Sequence, residues 1–172
     1  NTVVGSGALA TEDGNGQNVA VGSAALATLN AGADAGNVAV GYQALTAATT
    51  GVDNVAVGFQ AGDAVTTGSD NTLIGDSAGG ALTTGGNNTV LGSGALAAAT
   101  TAADNTAIGQ AALAANTSGT NNTAVGFNAG DAVTTANNTT VIGDNAGGAI
   151  TTGSGNTAIG PDSLLATTTQ AR

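Results

Sequence analysis

Ten glycines, Gly5, Gly22, Gly41, Gly58, Gly75, Gly92, Gly109, Gly126, Gly143 and Gly160, fall 17 residues apart, with a single step of 19 between Gly22 and Gly41. A period kept along the whole chain confines it to an array in which each unit is one coil stacked on the last. One unit reads Asn37-Val38-Ala39-Val40-Gly41-Tyr42-Gln43-Ala44-Leu45, then a polar stretch ending in Thr49-Thr50-Gly51-Val52-Asp53. The Asn recurs at 1, 18, 37, 54, 71, 88, 105, 122 and 156, and only the ninth unit departs, with Thr139 in that register and Asn138 one place early.

Gly and Asn every few residues, with Thr pairs between them, break any helical run before two turns form. Short strands joined by tight turns are the alternative: Asn and Gly supply left-handed turn conformations, and Val, Ile and Thr supply strands. The fold class expected is therefore all-β, a parallel β-solenoid (β-roll) of ten coils of about 17 residues forming one repeat domain over 1–172, roughly 45–50 Å long at a strand spacing of about 4.8 Å. Only Tyr42, Phe59 and Phe127 are aromatic, and Trp, Met, Cys, His and Lys are absent, so the side chains suit a core one or two residues across. Such a composition often leaves a chain disordered, but a disordered segment has no reason to place Val4, Val21, Val40, Val57, Ile74, Leu91, Ile108, Val125, Ile142 and Ile159 each just before the repeat glycine.

Strand alternation puts Val38 and Val40 on one face and Ala39 on the other, and both faces are apolar. The expectation is a coil with Val or Ile turned inward, an Ala face for a neighbouring copy, and an Asn corner hydrogen-bonded as a ladder. With so thin a core, self-association supplies the burial, and three chains around a common axis suit small residues. After the glycine the units split into two kinds. Leu9, Leu26, Leu45, Leu96, Leu113 and Leu164 lie four residues past it in one; in the other Gly62, Gly79, Gly130 and Gly147 stand there, and Val65, Leu82, Val133 and Ile150 follow three later. Residues 54–85 match 122–153 at 23 of 32 positions, which implies duplication of a four-unit block of 68 residues. The two extra residues in the Leu29 to Gly36 loop are expected to bulge outward while the strands keep register.

Eleven acidic residues against Arg172 alone give a net charge of −10. Nucleic acid and anionic membranes are poor partners for such a surface, because both need clustered Lys and Arg. No run approaches the roughly 20 apolar residues of a membrane span, so no direct membrane contact is expected of this segment. The open start at Asn1 and the uncapped end at Ala166 to Arg172 suggest a piece of a longer fibrous protein. His, Cys and Lys catalysis is excluded by composition, and no catalytic residue is assigned. Asp53, Asp70 and Asp104 precede the repeat Asn, Asp76 and Asp144 follow the repeat glycine, and Asp63 and Asp131 belong to the second kind of unit. Pairs of them on adjacent coils suggest Ca²⁺, but the glycine-rich nonapeptide of calcium-binding β-rolls is missing, and turn-forming Asp at solvent is the simpler reading; no metal or cofactor is expected. Thr49-Thr50 and its counterparts down to Thr151-Thr152 resemble the Thr ladders of ice-binding solenoids, although adjacent residues do not make two parallel outward rows.

The Asn-x-Ala-Val-Gly-x-x-Ala core at Asn37 to Ala44, Asn54 to Ala61 and Asn122 to Ala129 resembles the head repeats of trimeric autotransporter adhesins of Gram-negative bacteria. The resemblance covers essentially the whole chain and implies a left-handed β-roll, a homotrimer, an extracellular place on the bacterial surface, and attachment to host matrix or another surface. The family's usual coil is shorter than 17 residues. Similar arrays also look like parts of bacteriophage tail fibres, which makes a fibre shaft on a virion the alternative. The shared motif is structural, so no binding residue carries over.

Overall fold

In a computed structural model, which describes residues 1–11, 16–31 and 35–165, the chain forms a parallel β-solenoid. Ten three-residue strands make one sheet: β1 (Thr2–Val4), β2 (Val19–Val21), β3 (Val38–Val40), β4 (Val55–Val57), β5 (Thr72–Ile74), β6 (Thr89–Leu91), β7 (Thr106–Ile108), β8 (Thr123–Val125), β9 (Thr140–Ile142) and β10 (Thr157–Ile159). They are stacked in chain order, every pair parallel and in repeat register, with Ala39 beside Ala56 and Leu73 beside Val90. The described residues contain no helix. Across the 19-residue step the register holds, Ala20 pairing with Ala39. The expected outward bulge lies in the Leu29 to Gly36 loop, of which 32–34 are outside the described residues, as is the uncapped end at 166–172.

The repeat glycine makes the stacking possible. Gly75 has φ +138°, and a Cβ there would lie 2.6 Å from the carbonyl carbon and oxygen of Gly92 in the next coil. A side chain would thus be strained by its own backbone and would push two coils apart. With hydrogen there, the coils close to hydrogen-bonding distance: the Gly75 N–H donates to Val57 O at 2.9 Å and the Gly92 N–H to Ile74 O at 2.8 Å.

The expected orientation of the strands is reversed. Ala20, Ala39, Ala56, Leu73, Val90, Ala107, Ala124 and Val141 are fully buried, whereas Val40, Val57 and Ile74 are half-covered and Leu91 and Ile142 exposed. From β2 to β10 the middle residue of the strand points into the coil, and the Val, Ile or Leu before the glycine points out. The physical reason is the size of the coil. The inward space is already occupied by Ala44 and Leu45 and their equivalents, so in most coils it admits only Ala from the strand.

The two kinds of unit are two ways of filling that space. The residue four past the glycine is left-handed in every described coil, with φ +52° at Leu26, Leu96 and Leu113 and +59° to +71° at Gly62, Gly79, Gly130 and Gly147. A left-handed leucine costs about 1–2 kcal/mol. Burying it fully contributes about 1.5–3 kcal/mol, so the leucine is retained where there is room. Around Leu73 there is none: a Cβ at Gly62, in the coil before it, would sit 2.5 Å from Leu73 Cδ1, and one at Gly79, in its own coil, 2.9 Å from Leu73 Cδ2. Val65 and Leu82 then complete the core from the far side. Gly62→Leu alone is expected to overpack this layer and destabilise by about 1–3 kcal/mol. Adding Leu73→Ala should recover part of that loss, whereas Leu73→Ala in the parent background is destabilising. Urea melts of the four proteins in this cycle check the coupling.

Candidate interaction surfaces

Three columns could have carried chemistry, and the structure gives each a definite use. The Asn column is buried, at 0–1% exposure from Asn18 to Asn122. The Asn54 Oδ1 accepts the Asn71 N–H at 3.0 Å, and the Asn71 Nδ2 donates to Asn54 Oδ1 at 3.0 Å and to Gly85 O at 3.0 Å. The same bonds recur one coil on, from Asn88 to Asn71 and to Ala102 O. Every amide is spent on a ladder inside the rod, which leaves none for a ligand. Thr139 replaces Asn in the ninth coil and still donates its N–H to Asn122 Oδ1 at 3.0 Å, while Asn138 takes the exposed corner beside it. Among the described residues Asn18 is the exception, its buried Nδ2 having no partner there.

The position before the Asn is a left-handed corner, occupied by Gly36, Asp53, Asp70, Asn87, Asp104, Asn121, Asn138 and Gly155 with φ between +56° and +72°. Only Gly, Asn and Asp enter that conformation readily, which accounts for the aspartates as turn residues. Asp53, Asp70, Asp104, Asp76 and Asp144 are exposed, and no group of three or more His, Cys, Asp or Glu among the described residues is placed to share a metal ion. Asp63 and Asp131 are half-buried, each lying over a glycine of the next coil: the Asp63 Oδ1 is 3.7 Å from where a Gly80 Cβ would stand, and the Asp131 Oδ1 as far from one at Gly148.

In the Thr pairs, the first hydroxyl is used within the rod. Thr49 Oγ1 donates to Thr66 O at 3.1 Å, and Thr83 Oγ1 to Thr100 O at 2.8 Å, each beside the N–H bond between the same residues. Only the second row, Thr50, Thr67, Thr84, Thr101, Ser118, Thr135 and Thr152, is exposed in every coil. This is a single outward row in a bend.

An apolar surface with no use inside the coil is the outer strand face. It carries Val21, Val40, Val57, Ile74, Leu91, Ile108, Val125, Ile142 and Ile159 in one file, and Val19, Val38, Val55, Thr72, Thr89, Thr106, Thr123, Thr140 and Thr157 in the other. No charge interrupts either file. Beyond the glycine corner stand Tyr42, Phe59 and Phe127, 46%, 52% and 49% exposed. Tyr42 and Phe59 stack at 5.2 Å, and the Gln60 amide donates to Gln43 Oε1 at 2.9 Å beside them. The outward orientation of the Val and Ile file was the part that strand alternation left ambiguous. A partial signal was present in the chain: Leu73 and Val141 share their coils with Gly79 and Gly147 in place of Leu, a volume trade that inward residues make, although Val90 shares its coil with Leu96.

Set against known proteins, the chain matches no family model, no curated protein and no solved structure.

Replacing Asn71 by Ala leaves the Asn88 N–H and the Gly85 carbonyl without their partners and should cost about 2–4 kcal/mol, read from urea melts. Asp63 gives a pH effect of known sign. Burial raises its pKa above the ordinary 3.8, against hydrogen bonds from its own N–H and that of Ala64. The folded state therefore holds this proton more tightly, and the stability it contributes is present below the ordinary value and lost as pH rises through the raised one. Asp63→Asn should flatten that part of the stability profile and melt higher than the parent at neutral pH. Thermal melts across acid to neutral pH measure it.

Proposed function

We propose that the chain is a non-enzymatic structural module of an attachment fibre, a rigid rod formed by copies packed side by side on their outer strand faces at a bacterial surface. The observation that carries this reading is the two-file Val, Ile and Thr face, free of charge along ten coils. A monomeric rod gains nothing from β-branched residues turned to water in every coil. Copies that cover this face exclude water from a continuous, charge-free strip outside the core. Three copies around one axis, and a left-handed coil, follow from the resemblance to adhesin heads. The buried Asn ladder and the backbone ladder favour a stiff shaft, since each coil is bonded over its length to the next.

Net charge of −10 fits the same role, keeping rods apart except where the apolar strips meet. Light scattering coupled to chromatography tests the reading: the expected mass is three times the 15.8 kDa of one chain. Ile74→Asp combined with Ile108→Asp places charges in the strip and should reduce the assembly to monomers. A parent chain that is well folded and monodisperse at the mass of one copy would sink the proposal.

A further inference from the structure

We propose that Phe59 with Asp76, and Phe127 with Asp144, are two equal recognition sites for arginine side chains, spaced to hold an arginine-bearing polypeptide along the rod. This surface lies beyond the glycine corner, past the two strand files.

Both rings are half exposed, at 52% and 49%. The Tyr42 and Phe59 planes differ by only 16° although the residues stand on successive coils, so the rings lie across the rod axis with their faces directed along it. Tyr42 covers one face of Phe59. The other face looks toward the next coil, where the residue in the same column is the exposed Asp76. Asp is shorter than Phe, so it covers less of the ring than Tyr42 does on the other side, and its carboxylate stands exposed in the adjacent coil of the same column. The Asp76 Oδ1 accepts the Ser77 hydroxyl at 3.0 Å, and the Ser77 N–H donates to Phe59 O at 2.9 Å. The second copy shares the backbone bond, the Asn145 N–H donating to Phe127 O at 2.9 Å, while Asn145 stands in place of Ser77 and accepts from the Asn128 amide at 3.3 Å.

A ring face beside a carboxylate is complementary to a guanidinium, which is planar, stacks on aromatic surfaces and donates in pairs to carboxylates. The rod itself offers no cation for these sites among its described residues, because the sole basic residue is Arg172. Nor does the coil require a ring there, since the same column holds Ser6, Ser23, Ser93 and Gln110 elsewhere. Between the duplicated blocks, residues 37–53 and 105–121 agree at 8 of 17 positions and exchange Tyr42 for Gln110. The Phe and Asp pair is the same in both copies. The two sites are four coils apart, about 19 Å at the strand spacing of a parallel sheet.

That distance sets the test. In a polyproline II rod, residues three, six or nine apart lie on one side, at about 9, 19 and 28 Å. Peptides of two arginines separated by two, five or eight prolines therefore differ in spacing alone. Isothermal titration should find the five-proline peptide about tenfold tighter than the other two, because it alone engages both sites. Phe59→Ala or Phe127→Ala should reduce it to their level, and Asp76→Asn or Asp144→Asn should weaken it in the same way. The Asp53→Asn and Asp70→Asn double variant, which removes charge away from the rings, should leave the spacing preference intact. Equal binding of the three peptides, or an unaltered preference in Phe59→Ala, would mean diffuse attraction to an acidic rod and overturn the proposal. A change in the mass of the assembly on Phe59→Ala would assign the ring to contacts between copies and overturn it as well.

Discussion

Backbone hydrogen bonding between coils in strict register is the constraint on which the rest of the molecule depends. A 17-residue coil with this composition has too little core to stand alone, and its peptide groups are satisfied by the coils above and below. That closeness has a requirement. Where the backbone turns at φ near +140° against the next carbonyl, as at Gly58 and Gly75, a Cβ cannot be accommodated. The glycine period is the chemical trace of that contact repeated through the array.

Register then turns single residues into columns, and each column behaves as its neighbours above and below allow. Asn71 is satisfied because Asn54 and Asn88 stand in line with it. A lone buried Asn would be a cost; a file of them is a continuous bonded ladder. Asp53 and Asn87 occupy a corner whose left-handed backbone admits few other residues. The core obeys a stricter rule, since volume must balance within and between coils. Leu45 and Leu96 accept a strained backbone for the sake of burial, and Gly62 and Gly79 give way where Leu73 takes the space.

The outer surface inherits the same regularity. Its Val and Ile file, its single Thr row and its phenylalanines repeat because the core repeats, yet they are not equivalent. The first Thr hydroxyls and the Asn amides are consumed within the rod, whereas the strand file is not, and the rings of Phe59 and Phe127 stay about half exposed, Phe59 with one face on Tyr42. Those remaining surfaces are the ones on which the proposed contacts rest. Its two proposed contacts differ in chemistry, one a charge-free strip suited to another copy, the other aromatic and acidic.

Much of the architecture was legible in the chain: the number of coils, the parallel stacking, the place of Asn in a ladder and the corner role of Asp53, Asp70 and Asp104. All of these follow from period and from local backbone preference, which a sequence carries directly. Which face of the strand turns inward was not legible from alternation, because Val38, Ala39 and Val40 are all apolar and either assignment buries hydrophobic surface. Only the closed coil decided it. Ala44 and Leu45 already occupy the interior, the remaining volume admits Ala39, and the larger valines are left outside. Packing volume is a property of residues brought together from around the coil, and no strand contains it.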